Sequence, residues 1–369
     1  MQWWHLGSMM HDKDSTWTAN TARSPLWMVT QEPLLNEFVG YLTALLQQLR
    51  APTGEREHRL EFSRQQLADV RQAFSSMIVR GEEALHQLCE LFCRQFFTGY
   101  QLSSVVIGEI DATKERFVLS QGLSPKDLYS TSDIDLGTRQ LAKLRFIDRG
   151  VWSNASLVAN YVEYQPAESN ALHIHKLISR IKAEEEIWNK VVDEIFDLDG
   201  LVRRDKQMSH LSWFVKDVFG IKIVVDGKAD VEAMHRVLVE TRWEEALITG
   251  LGLQPSPDVL RLEHLETKDY SGGDGRKSSG WSAIKSVVRW GGKTFEIQTQ
   301  SLRNYFSEQE FLTQESHAGF KSKREALRDE IARQEPLFGF YRALLKWLFI
   351  GDGSVESAPQ YPGVKVRLK

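Results

Sequence analysis

Apolar residues recur at helical spacing through the first part of the chain. Leu34, Phe38, Leu42, Leu45 and Leu49 form one stripe, and Leu60, Leu67, Val70, Phe74 and Met77 a second, so two helices with packing faces are predicted there. A third, over about 82–97, carries Leu85, Leu88, Leu91, Phe92 and Phe96. The pattern then shortens. SSVVIGEI and ERFVLS read as strands, and SPKDLYSTSDIDLGTRQLAKLRFI as a turn followed by a helix. Periodicity is weakest over 154–170, which is the expected boundary between a mostly helical N-terminal domain (25–165) and a second domain of mixed strands and helices.

From His173 onward strands and helices interleave. LHIHKLI predicts a strand, and SRIKAEEEIWNKVVDEIF a helix with Ile187, Val191 and Ile195 on one stripe. IKIVV predicts a buried strand, covered by a helix at 231–241 around Met234, Val237 and Leu238. Trp281–Arg289 and Thr294–Thr299 alternate as strands on either side of Gly291-Gly292, a hairpin turn signal. In the second of these, a period of two puts Phe295 and Ile297 on one face and Glu296, Gln298 and Gln300 on the other. A charged helical segment spans 304–334 and contains His317, read as packed or solvent-facing rather than as a ligand. PLFGFYRALLKWLFIG, at about 16 residues and interrupted by Arg342 and Lys346, is short for a membrane span and reads as an amphipathic helix docked on the domain before it. The expected fold class is therefore α+β: a mixed β-sheet flanked by helices over 166–335, preceded by the mostly helical part and followed by a C-terminal helix and tail at 336–369.

With 369 residues the chain has room for two domains, and its eleven tryptophans supply apolar surface for their cores. A net charge of −4 gives no reason to expect a DNA partner. Cys89 and Cys93 stand at i,i+4 without a Cys/His set around them, and a zinc site takes about four ligands, so they read as small residues on a buried helix face. MQWWHLGSMMHDKDS lacks the apolar core of a signal peptide and its LGSM looks like a cloning scar, so residues 1–24 are expected to be a disordered tail. With no export or anchoring signal, a cytoplasmic protein without a membrane partner is expected.

Against this near-neutral background, one stretch is locally cationic. Between Lys268 and Lys293, Lys268, Arg276, Lys277, Lys285, Arg289 and Lys293 face only Asp269 and Asp274, which points to a small polyanion. SGGDG within it is a loop whose backbone N–H groups can close over phosphates. Arg180 and Lys182 stand before the helix that carries Lys190, where free N–H groups already favour anions; Lys190 is also spaced for an ion pair with Glu186. Asp217 precedes the buried strand and can reach a metal ion at the rim of the sheet. Asp133 and Asp135 alternate as a metal-holding strand would, but without an upstream Gly-Ser turn they read as a solvated turn or helix start, with Ser132 or Asp133 as cap.

These motifs, in this order, resemble the synthetase domain of the RelA/SpoT family over about 173–335. SRIKAEEEIWNK places Arg180, Lys182 and Lys190 on the family's ATP-binding positions, and DVFGIKIVV places Asp217 on its magnesium-binding aspartate. KDY and KSSGW put Lys268 and Lys277 on phosphate-contacting lysines and Trp281 on the aromatic that stacks the acceptor base. FEIQTQS puts Glu296 on the catalytic glutamate and Gln298 on its companion. The family's Gly-Tyr-x-Ser-x-His is here Gly280-Trp281-Ser282-Ala283-Ile284-Lys285, so Lys285 replaces a histidine, and Lys222 and Gln300 stand where arginines are common. The resemblance implies a nucleotidyltransferase-like fold and Mg²⁺-dependent transfer of pyrophosphate from ATP to the 3′-hydroxyl of GDP or GTP, making an alarmone, without the reverse hydrolysis. It assigns Asp217, Glu296 and Arg180 to catalysis, with the two acids on the metal, and Lys268, Lys277, Trp281, Lys285 and Gln298 to the acceptor. The altered acceptor motif leaves open an adenine nucleotide, the 3′ end of tRNA as target of a toxin, or a pseudo-synthetase that binds nucleotide without turnover. Small members of the family assemble, so a homo-oligomer also stays open.

Overall fold

The computed structural model describes residues 24–50, 57–198, 214–271, 282–313, 316–350 and 358–369, with the backbone alone at 134, 135, 148, 309–313 and 316–323. The helices are α1 (Pro33–Arg50), α2 (Arg64–Phe96), α3 (Pro125–Ser130), α4 (Asp133–Ala142), α5 (Glu184–Ile195), α6 (Lys228–Glu240), α7 (Glu245–Gly250), α8 (Leu302–Thr313), α9 (Ser316–Gln334) and α10 (Pro336–Leu345). The strands are β1 (His58–Phe62), β2 (Tyr100–Ile110), β3 (Arg116–Leu123), β4 (Phe146–Asp148), β5 (Val151–Ser153), β6 (Ala155–Pro166), β7 (Ile174–Ile181), β8 (Phe219–Val225), β9 (Glu263–Asp269), β10 (Ile284–Trp290), β11 (Lys293–Ser301) and β12 (Val364–Leu368). Among the described residues no helix is long and apolar enough to cross a membrane. The chain divides into two compact units: 1–75, 189–215 and 340–369 in the first, 76–188 and 216–339 in the second.

In the first unit, β1 and β12 pair in parallel from His58↔Val364 to Phe62↔Leu368. Leu60, expected on a helical stripe, is buried in β1 instead, because the strand partner lies three hundred residues away and local periodicity does not register it. The C-terminal apolar helix packs here: the Tyr341 hydroxyl donates to Leu42 O at 2.8 Å, and its ring meets Phe196 at 5.2 Å. Only its later residues, from 340, belong to this unit; 336–339 stay with the second, where a Cβ on Gly339 would lie 3.1 Å from Ala332 of α9, so the helix docks in part on the domain preceding it.

The second unit is built on an eight-stranded sheet in the order β3-β2-β6-β7-β8-β11-β10-β9, antiparallel throughout except for the parallel pair β8 and β11. The mixed sheet flanked by helices is thus present, but the boundary expected at 154–170 is not. That segment is β6, paired with β2 on one side and β7 on the other. Its polar residues fall on both sheet faces, Glu163 on one and Asn160 on the other, and so weaken the alternation without ending the strand. The two helices expected between 60 and 97 form one continuous α2, and Gly81 inside it marks a close approach to β8 rather than a break: a Cβ there would lie 1.9 Å from Phe219 Cζ. Cys89 and Cys93 are buried on this helix, where burial pushes both thiols well above their ordinary range. Gly291 and Gly292 turn the β10–β11 hairpin at φ of 53° and 72°, as a two-residue hairpin turn requires.

His235 on α6 and His264 on β9 stack edge to face, 6.2 Å between ring centres, and His264 Nε2 reaches Leu238 O at 3.3 Å. Burial lowers both pKa values, for His235 with help from its neighbour His264. A histidine depressed in the folded state contributes stability that is fully present above its unfolded pKa of about 6.5 and is lost as pH falls below that value through the lower folded pKa. His264→Gln is therefore expected to lose less stability on acidification than the unaltered chain, measured as urea midpoints across that range; parallel pH profiles would contradict it.

Candidate functional site

Residues paired across strands point to the same face of a sheet. One row across β9, β10, β11, β8 and β7 runs Glu266, Val287, Glu296, Gly220 and Arg180, and the next runs Lys268, Lys285, Gln298, Lys222 and Ile178. Five predicted site residues, Arg180, Lys268, Lys285, Glu296 and Gln298, therefore share one face, and Phe219, Ile221 and Ile223 of β8 turn to the other and are buried. Gly220 leaves the floor bare between Arg180 and Glu296. Among the described residues, a Cβ there would touch only Arg180 O and Glu296 O, at 3.7 and 3.9 Å.

Asp217 and Lys182 flank this face at the point where β7 ends and β8 begins, joined by the bond from Lys182 N to Val218 O at 2.9 Å. Lys182 Nζ lies 2.5 Å from Asp217 Oδ2, and Lys285 Nζ 2.9 Å from Glu296 Oε1. Burial works against the charge on Lys285, but the carboxylates of Glu296 and then Asp217 outweigh it and hold its pKa above the ordinary lysine value. Asp217, just before β8, and Glu296, on β11, thus act on the same ammonium group. Arg180 is 3.8 Å from Glu186 at the first turn of α5.

Sequence reading missed the carboxylate at Glu266. It takes Lys216 at 2.7 Å and Lys268 at 3.3 Å. Its spacing of two from Lys268 on a strand was the available signal. It also missed a second polar cluster next to Gln298 on this face. Gln298 donates to Gln300 at 2.7 Å, Gln300 to Glu308 at 3.1 Å, and Lys222 meets Glu308 at 2.8 Å. The Tyr305 ring lies under the ammonium groups of Lys176 and Lys222, at 5.2 and 5.8 Å. Burial, with Tyr161 and Glu163 nearby, keeps its hydroxyl protonated well above the usual range. Lys222 and Gln300, the two departures from arginine, are thus both committed to Glu308 of α8.

The other predicted residues stand differently. Lys190 belongs to the first unit and lies 4.0 Å from Glu194. Lys277 and Trp281 fall outside the described residues, with the glycine-rich loop that carries them, and so does the side chain of His317. Residues 1–23 of the expected tail also lie outside them. Asp133 starts α4 as a helix-start reading requires, but it is buried at 4% exposure, so it is neither a solvated cap nor part of a strand of alternating acids.

No protein-family model matches the chain, and no curated protein does. Solved structures similar to it include small alarmone synthetase 2 from Bacillus subtilis, at 19% identity over 45% of this chain and 80% of that one, with a TM-score of 0.25. A GTP pyrophosphokinase family protein from Streptococcus pneumoniae is 18% identical over 47% and 72%, with a TM-score of 0.26. Small alarmone synthetase 1 from Bacillus subtilis bound to its product pppGpp is 16% identical over 45% and 80%, also with a TM-score of 0.26. At TM-scores of this size, the reading of the site rests on its own residues and distances.

Proposed function

We propose that this protein transfers pyrophosphate from ATP to the 3′-hydroxyl of a guanosine nucleotide, GDP or GTP, and that the polar face of β7 to β11 is its active site. The observation that supports this reading is the convergence on Lys285, with Glu296 at 2.9 Å and Asp217 adding to the same electrostatic hold. A polyphosphate site needs both signs of charge at close quarters: cations for the phosphates, and acids for a metal ion and for the proton that must leave.

The oxygen donors of Asp217 and Glu296 suit Mg²⁺. Each is balanced here by a lysine ammonium, and Gly220 leaves space beside Glu296, so the residues fit such an ion. Bound there, Mg²⁺ would offset the negative charge of the donor's phosphates. Transfer of this kind depends on positioning and charge neutralisation more than on covalent help. As nucleotide enters, Lys182 and Lys285 exchange a carboxylate partner for phosphate oxygens, and Arg180, across the bare floor from Glu296, steadies the triphosphate. Glu296, freed from Lys285, accepts the proton of the attacking hydroxyl. The 3′-oxygen bonds to the β-phosphorus as the bond from that phosphorus to the α–β bridging oxygen breaks, and AMP leaves. Lys268 and Lys277 hold the acceptor's phosphates, with its base on Trp281.

The full chain, incubated with Mg²⁺ and ATP labelled in the γ-phosphate, is expected to move label to GDP or GTP in preference to ATP or tRNA, and Asp217→Ala is expected to stop it. Label moving to an adenine nucleotide or tRNA instead would keep the chemistry and change the acceptor. Label on no acceptor, with Asp217→Ala indistinguishable from the unaltered chain, would remove the reading. One observation favours a second reading: the Lys285–Glu296 pair occupies the base. A nucleotide-binding regulator without turnover would bind ATP in a calorimeter and yield no product.

A further inference from the structure

On the opposite face of the same sheet, beneath α2 and α4, three ligand-capable side chains meet in the interior. Glu82 and His86, one turn apart on α2, and Asp133 at the start of α4 are 7%, 1% and 4% exposed. One donor atom from each lies within 4.8 Å of the others. His86 Nε2 is 3.3 Å from Asp133 Oδ1, in a geometry that makes no hydrogen bond at either atom. Asp133 Oδ2 is likewise buried without a hydrogen bond, while one Glu82 oxygen accepts from Asp133 N at 2.6 Å.

His86 Nε2 and both carboxylate oxygens of Asp133 are thus buried together without a hydrogen bond, and buried polar atoms without partners are costly. A divalent cation removes that cost, taking the Nε2 lone pair and the unengaged oxygens of Asp133. The ring is already oriented for that. His86 Nδ1 lies 2.9 Å from the Tyr164 hydroxyl on β6, an outer hydrogen bond that holds the direction of the ring; with Nδ1–H donating to that oxygen, Nε2 is the nitrogen left to bind a metal.

We propose that Glu82, His86 and Asp133 form a structural site for one divalent transition-metal ion of the zinc class, tying α2 to the start of α4. The mixed set of one imidazole nitrogen with carboxylate oxygens selects the chemistry. Mg²⁺ and Ca²⁺ favour all-oxygen sets, whereas Zn²⁺ accepts histidine and carboxylate together. A water or a second carboxylate oxygen completes the shell. The site is independent of the transfer reaction, because its residues lie on the sheet face away from Asp217 and Glu296.

The test uses the full-length chain, stripped with EDTA, dialysed and titrated with zinc chloride in a calorimeter, alongside thermal melts with and without zinc. One-site binding at about one ion per chain and a raised melting midpoint are expected. His86→Gln is expected to weaken binding by more than about 100-fold, and Co²⁺ in place of zinc to give visible absorption that this variant lacks. Should His86→Gln fail to fold, Glu82→Gln and the EDTA dependence of the unaltered chain's melting midpoint carry the test. Glu296→Gln is expected to bind zinc as the unaltered chain does. Absence of zinc binding and of any zinc-dependent shift in the unaltered chain overturns the proposal. So does full retention of binding in a folded His86→Gln, or its loss in Glu296→Gln, which would put the ion on the other face.

Discussion

Glu296→Gln is expected to lower the rate of pyrophosphate transfer by about 10²–10⁴-fold, the range for losing a positioned general base, with little change in the apparent affinity for ATP. The amide keeps the size of the carboxylate and its place on β11 between Gly220 and Val287, so the sheet has no reason to shift. What changes is charge. The side chain no longer accepts a proton, and Lys285 loses the partner at 2.9 Å that raises its pKa, keeping Asp217 as the remaining acid named in its hold. Separate kcat and KM values in the acceptor assay distinguish this from a packing defect. A kcat within about twofold of that of the unaltered chain, with product still formed, would show that the base lies elsewhere.

Gly81→Ala is expected to produce the largest loss of stability from a single methyl group. Two effects compete. Alanine favours a helix over glycine by about 1 kcal/mol, which alone would make the change stabilising. The new Cβ, however, would sit 1.9, 2.4 and 2.5 Å from three ring atoms of Phe219, which is fully buried and packs on Phe295. Overpacking a dense interior costs about 1–3 kcal/mol, at the upper end where the neighbour has nowhere to go, so the clash outweighs the helix gain and a net loss of up to about 2 kcal/mol is expected in denaturant titration. Phe219→Leu should relieve part of it, so the double variant is expected to be more stable than the sum of the singles. A neutral or stabilising Gly81→Ala would mean that α2 and β8 approach less closely than these distances state.

The same glycine shows where sequence reading stops. Gly81 lies between two apolar stripes and looks like a break between helices; its reason is a ring on β8, some 140 residues away. Likewise 154–170 looks like a linker because β6 alternates imperfectly, yet it is held by strands on both sides. Strand partners are chosen by which edges can be desolvated together, and that choice leaves no local mark.

The site was legible to a different degree. Glu296, Gln298 and Lys285 follow from the period of two around a glycine hairpin, and Asp217 from its place ahead of a buried strand. The ammonium group on each acid did not follow. Lys182 could be placed before α5 but not 2.5 Å from Asp217, and Lys222 and Gln300 read as departures rather than as partners of Glu308. Glu82, His86 and Asp133 were invisible as a group, since Asp133 on its own resembles a helix cap.

By itself the sequence determined the type of most elements and the face on which the polar side chains of β11 stand, because hydrophobic period and turn chemistry act between near neighbours. The tertiary structure alone decided which strands share a sheet, which lysine neutralises which acid, and that Asp133 is buried. Those outcomes depend on the water removed when distant segments pack, a quantity set by the whole fold and by no short stretch of the chain.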